Sequence, residues 1–200
     1  MMKSNSNKYS VLLVFCTVVV FFLSGGTHTA HAQQVGIKTN ALMWAGLTPN
    51  VGCEIVVGEH SSIDLSTFGN KMAFGPDKMY PKFASKVIAF QPEYRYWFNG
   101  RPMVREYIGI SSMLAAYDIT MNQYVYNGNA MSLGVTGGYA FILGTKWRLE
   151  LCAGFGFLFF SQKQYYETND YFVDKSREAN SRGYKLIPAK LGVSFTYIIK

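Results

Sequence analysis

A chain of 200 residues carrying 19 Lys and Arg against 12 Asp and Glu, a formal charge of +7, has the length of one domain with a short leader. The positive surplus is modest and scattered, with no dense Lys/Arg cluster or basic helix, which argues against nucleic acid as a partner. Of the three Cys and three His, Cys16, His28 and His31 fall within the first 32 residues, and the remaining Cys53, Cys152 and His60 make no Cys/His metal-ligand set, so no metal and no cofactor is expected.

The N-terminus predicts a secretory signal peptide over residues 1–32. Lys3 and Lys8 precede the apolar run Val11 to Leu23, which is too short for a comfortable membrane span and ends in Ser24-Gly25-Gly26 and then Ala30-His31-Ala32. Cys16 lies inside the apolar run after Phe15, so it is not placed as the lipidated cysteine of a lipoprotein. Cleavage after Ala32 takes 32 of the 200 residues and leaves 168, with 17 basic against 12 acidic side chains, or +5. That length fits eight membrane strands of roughly 9–11 residues with their connections.

Residues 33–200 alternate with period two, taken in order from Val35 to Met43, where Ile37, Thr39, Ala41 and Met43 face one side and Lys38 and Asn40 the other. A turn at Gly46 to Pro49 leads to Asn50–Val57, with Glu54 opposite Val51, Cys53 and Ile55. After Gly58-Glu59-His60-Ser61 comes a short, weak strand over Ser62 to Phe68, with Asp64 and Ser66 inward, and then a polar loop over 69–85. The next strand, Lys86 to Phe98, sets Gln91, Glu93, Arg95 and Trp97 against Ile88, Phe90, Pro92, Tyr94 and Tyr96; Pro92 predicts a bulge or a break in pairing. A tight turn at Asn99-Gly100 opens Met103 to Asp118, with Arg105, Tyr107 and Gly109 on one face.

A polar loop is expected over Thr120 to Asn129, followed by a strand over Ala130 to Leu143 and a turn at Gly144-Thr145-Lys146. From Trp147 to Phe159 one face is almost purely apolar while the other carries Arg148, Glu150, Gly154 and Gly156. The longest polar stretch, Ser161 to Gly183, is expected as a loop, and Tyr184 to Ile199 as the last strand, with Lys190 inward. The fold class is therefore all-β, an eight-stranded antiparallel up-and-down transmembrane β-barrel, with tight periplasmic turns and longer external loops. The connection at Gly46 to Pro49 departs from that rule by being short on the outer side. Phe98, Trp147 and Tyr197 fall where a periplasmic aromatic girdle is expected. The location implied is the outer membrane of a Gram-negative bacterium, with lipid, lipopolysaccharide and the barrel-assembly machinery as its surroundings.

An eight-stranded barrel is narrow, and its interior has to be filled. Gly134, Gly138, Gly154, Gly156 and Gly192 on the polar face leave room for Lys38, Arg95, Arg105, Arg148 and Lys190 with Glu54, Asp64, Glu93 and Glu150, joined by Asn40 and Gln91. A paired polar plug is the expected state, since unpaired charges away from water are costly; a charged pore is the alternative. Cys53 and Cys152 fall on opposite faces and are expected to stay free. Enzymatic activity is not expected: His60, with Glu59, Ser61 and Ser62 beside it, sits in a turn where adjacent side chains seldom converge.

The stretches Gly36-Ile37-Lys38-Thr39-Asn40-Ala41-Leu42, Thr48-Pro49-Asn50-Val51-Gly52-Cys53-Glu54 and Gln91-Pro92-Glu93-Tyr94-Arg95-Tyr96-Trp97-Phe98 resemble an uncharacterised family of small outer-membrane β-barrels. Such proteins typically show K-T-N-x-L, T-P-N-x-G-x-E and Q-P-E-x-R-Y-W motifs, with a bulkier apolar residue more often at the place of Ala41. The resemblance implies an envelope location and transfers no catalytic residue. A structural or surface-interaction role through the loops is expected, with Tyr165, Tyr166, Tyr171 and Phe172 as a candidate contact for an envelope or surface protein. A small pore or transporter for small solutes is the alternative, with a lipid-modifying enzyme ranked below it.

Overall fold

The computed structural model describes residues 34–75, 83–122, 124–166 and 181–199; the expected leader over 1–32 lies outside them. Eight strands run in chain order: β1 (Val35–Asn40), β2 (Asn50–Val56), β3 (Ser61–Phe74), β4 (Phe83–Trp97), β5 (Arg105–Met121), β6 (Tyr124–Ile142), β7 (Trp147–Tyr166) and β8 (Ser181–Ile198). Each pairs antiparallel with its sequence neighbour, and β8 pairs with β1 from Gly36↔Ile198 to Asn40↔Ser194, closing the barrel. Both ends of the described barrel and the connections at 57–60, 98–104 and 143–146 lie at one end, here the termini end.

Alternation along each strand assigns the two faces, and burial is inverted relative to a water-soluble core. Arg95 and Asp64 are 0 % exposed, whereas Ile88 is 66 % and Phe155 67 % exposed. Small inward positions make this possible. A Cβ on Gly138 would lie 2.7 Å from the Tyr107 ring and one on Gly52 2.5 Å from Ser66 Oγ, so side chains from neighbouring strands occupy the space those glycines leave. The buried apolar cluster is confined to Trp97, Tyr107, Ala140 and Cys152.

Several elements differ from the sequence expectation. β1 stops at Asn40 instead of Met43, because Ala41–Ala45 forms a single-turn helix, α1. Asn40 caps it, its Oδ1 accepting from Leu42 N at 3.0 Å, which ends the strand where the period-two pattern alone continues. The third strand is neither short nor weak: β3 extends to Phe74 and β4 starts at Phe83, so most of the expected loop over 69–85 is sheet. The expected loop over 120–129 is mostly sheet, with β5 and β6 zipped in register out to Met121↔Tyr124. Likewise β7 continues to Tyr166 and β8 begins at Ser181, leaving 167–180 outside the described residues. In these outer segments the backbone ladder continues although neither face is uniformly apolar.

Pro92 interrupts pairing as expected. The β4–β5 ladder skips Gln91 and Pro92 and resumes at Glu93↔Ser111 without changing register. A true register shift occurs elsewhere, between β7 and β8, where Gly154↔Lys190 is followed by Phe155↔Pro188 and Ala189 bulges out of the ladder. The bulge reverses parity along β8: Tyr184 and Leu186 face outward before it, and Leu191 and Phe195 after it.

Candidate functional site: the charged interior

Side chains from β1, β2, β3, β4, β7 and β8 converge inside the barrel in one ion-pair network. Lys38 Nζ lies 2.9 Å from Glu54 Oε2, 2.9 Å from Glu150 Oε2 and 3.3 Å from Asp64 Oδ2, so each of its three N–H groups has a carboxylate. Arg95 contacts all four carboxylates: Nη1 reaches Glu54 and Glu150, both at 2.9 Å, and Nη2 reaches Asp64 at 2.8 Å and Glu93 at 3.0 Å. Lys190 Nζ sits 3.1 Å from Asp64 Oδ2 and 2.5 Å from Glu93 Oε2. Three cations thus face four carboxylates.

Neutral donors complete the carboxylates. Ser62 Oγ donates to Glu54 and Ser66 Oγ to Asp64, each at 2.6 Å, while Tyr107 OH donates to Glu150 at 2.8 Å and Thr136 Oγ1 to Glu93. The Arg95 guanidinium also lies over the Tyr107 ring, 4.5 Å from its centroid, and Trp97 Nε1 donates to Ser62 Oγ at 2.8 Å. Bonds from β4 to β2 and β7 and from β1 to β7 run across the lumen, so the charged groups fill the cross-section. Arg95 Nε is left without a partner among the described residues.

Of the eleven expected interior residues, Lys38, Glu54, Asp64, Glu93, Arg95, Glu150 and Lys190 form this network. Asn40 and Gln91 are inward but outside it. Gln91 Nε2 donates to Ala189 O at 2.9 Å, and Asn40 bonds the backbone of β8, Nδ2 to Leu191 O and Oδ1 from Val193 N, both at 3.2 Å. Arg105 and Arg148 are corrections. Arg105 opens β5 at φ +69° with its side chain 59 % exposed and pairs only with its neighbour Glu106, at 3.3 Å. Arg148 turns back onto the β6–β7 turn, where Nη1 donates to Gly144 O at 2.7 Å and Trp147 O at 2.9 Å. Both have the inward parity two residues from a network member, Tyr107 or Glu150, but Arg148 is taken up by turn carbonyls and Arg105 stands exposed beside Glu106, so neither joins the network.

Ser62, Ser66, Tyr107 and Thr136 are network members outside the expected set; their signal was the shared parity, Ser62 and Ser66 lying two residues either side of Asp64. The His60 neighbourhood is dispersed. His60 Nδ1 is 2.8 Å from Trp97 O and its ring stacks on Tyr96, whereas Ser61 Oγ is 2.7 Å from Tyr94 OH and Ser62 turns inward to Glu54. Cys53 and Cys152 are free. Tyr165 and Tyr166 occupy the last positions of β7, opposite Val125 and Tyr124, and Tyr171 and Phe172 lie outside the described residues.

Together these features define a class: a closed, eight-stranded, antiparallel barrel turned inside out, apolar on its surface and charge-paired within. The chain belongs to the DUF3575 family, proteins of unknown function, whose model matches residues 17–199. No curated protein and no solved structure matches it.

Proposed function

We propose that this chain is an outer-membrane β-barrel of a Gram-negative bacterium with a structural or surface-interaction role, its interior a plug and its working surface the connections at the end away from the termini. The observation that carries this is the inverted burial. Outward Ile37, Val51, Ile88, Ile110, Leu133 and Phe155, one from each of six strands, are each close to half exposed or more. Continuous apolar surface of that extent is foreign to soluble monomers, which seldom expose more than a few hundred Å² in one patch, and it matches the lipid-facing band of a membrane barrel. Trp147 tilted against Tyr197 with ring centroids 5.0 Å apart, and Phe98 edge-on to Tyr96, supply outward aromatics at the termini end, as a girdle requires. Its surroundings are then outer-membrane lipid and lipopolysaccharide, its insertion falls to the barrel-assembly machinery, and an envelope or surface protein is the partner proposed for its loops.

The crossing ion pairs favour a plug over a pore. Planar-bilayer recording of the folded barrel is expected to show no stable conductance above the empty bilayer, and stable channel currents would replace this reading with a pore. Deletion of 168–179 is expected to leave a folded barrel that no longer captures its envelope partner; unchanged adhesion and capture would remove that segment as the contact.

A further inference from the structure

The barrel wall is low on one side. β1 and β2 have six and seven residues against twenty in β7. At about 3.3 Å per residue six residues extend ~20 Å, and a tilt near 45° reduces that to ~14 Å, short of the ~25 Å apolar band of a membrane barrel. Beyond Asn40, the edge of β8 from Ser181 to Lys190 that would face β1 has no pairing strand among the described residues, and neither has the edge of β3 from Asn70 to Phe74 that would face β2. Among the described residues, a notch therefore separates β8 from β3 above α1.

Two asparagines build its sill. Asn50 Oδ1 accepts from Asn40 N at 2.6 Å and its Nδ2 donates to Asn40 O at 2.9 Å, while the Asn40 side chain bonds Leu191 O and Val193 N in place of further strand. The connection is also internally bonded, through Gly46 N to Leu42 O, Leu47 N to Trp44 O and Thr48 N to Met43 O, and it exposes Leu42, Trp44 and Leu47. Backbone at lipid depth has to be satisfied in this way.

Behind the notch lies a cavity of about 230 Å³ lined by Met43, Asp64, Gln91, Met113, Ile187 and Lys190 among others. Its floor is the ion-pair network, where Lys190 has two of its three N–H groups on Asp64 and Glu93. An open strand edge at lipid depth is tolerated only where it borders a polar cavity. The β8 edge also carries Pro188, the bulge at Ala189, Arg182 and Lys185, devices that discourage addition of another strand.

We propose that the notch between β8 and β3 is a lateral binding site for the hydrogen-bonding head of an outer-leaflet lipid, which enters the cavity sideways while its acyl chains lie against α1. The proposal rests on the membrane reading above. Proteoliposomes of the whole mature chain, made with phosphatidylethanolamine bearing an aryl azide on its headgroup or a diazirine on its acyl chain, test both separately. The headgroup probe is expected to label Met43, Met113 or Ile187, and the tail probe Leu42, Trp44 and outward Ile110 and Phe157. Met113→Trp, which fills the cavity, is expected to abolish headgroup labelling there while the barrel keeps its heat-shifted gel mobility. Headgroup label confined to the ends of the strands, or retained in the cavity of folded Met113→Trp, overturns the notch while tail label on Ile110 and Phe157 leaves the membrane reading standing. No tail label on Ile110 and Phe157 overturns both.

Discussion

Arg95 and Glu150 meet in a two-bond fork across the barrel, Nη1 lying 2.9 Å from Oε2 and Nη2 3.1 Å from Oε1. The planar guanidinium matches the carboxylate, and no other side chain in the network touches all four acids. Arg95→Leu leaves four carboxylates facing two lysines. It is expected to lower stability by about 3–5 kcal/mol, the usual result of orphaning a buried charge. Arg95→Lys is expected to lose much of the same stability, since one ammonium cannot hold the fork. Urea unfolding in detergent micelles, followed by tryptophan fluorescence, measures both; an unchanged midpoint would mean the network is not holding the wall.

The outward face gives a test whose sign separates lipid from water. Ile110 is 60 % exposed and sits opposite Tyr94 and Val135, at the level of the network. Ile110→Arg is expected to cost about 2–4 kcal/mol when the barrel folds into a bilayer, as cations do near the midplane. In a water-exposed barrel the same change would be neutral and would improve solubility, so urea titration of folding into lipid vesicles decides between them.

Asn40 ends β1, caps α1 and ties the sill to β8. Asn40→Ala removes the bond to Leu42 N together with those to Leu191 and Val193, and a loss of about 1–2 kcal/mol is expected, the upper part of the range for a lost cap. Hydrogen exchange is expected to rise at Val193 and Leu42 first. Protection unchanged at both amides would show that the sill does not depend on this side chain.

Gly138 lies beside the ring of Tyr107, whose hydroxyl donates to Glu150. Gly138→Val would place a Cβ 2.6 Å from Leu151 O as well as against that ring, and a destabilisation of about 1–3 kcal/mol from overpacking is expected. Tyr107→Phe keeps the ring and removes the hydroxyl, so thermal melts of the two variants separate packing from the hydrogen bond.

Period-two alternation made the strand count, the two faces and most of the charged interior legible, because inward charges such as Glu54, Asp64, Glu93 and Glu150 are bracketed by outward apolar or aromatic neighbours. Parity says which way a side chain points and not which partner it takes: Arg148 turns back to the carbonyls of Gly144 and Trp147, and Arg105 stands exposed beside Glu106. Strand ends were legible only where the apolar face ended with the strand. At Asn70 and Lys71, and again at Thr120, Asn127 and Asn129, polar residues continue in the ladder, where backbone hydrogen bonds carry the strand past the end of its apolar pattern. The helix at Ala41–Ala45 was hidden by Ala41 and Met43, which keep the strand period for one turn. The cap that ends the strand was visible only as Asn40. The bulge at Ala189 had its one sequence sign in Pro188.

The central claim is that an inside-out barrel sits in the outer membrane, and fractionation with heat-dependent gel mobility tests it most directly. The mature chain is expected in the outer-membrane fraction, migrating as a compact species in unboiled detergent samples and shifting on boiling. A soluble periplasmic pool whose mobility does not change on boiling would contradict the account.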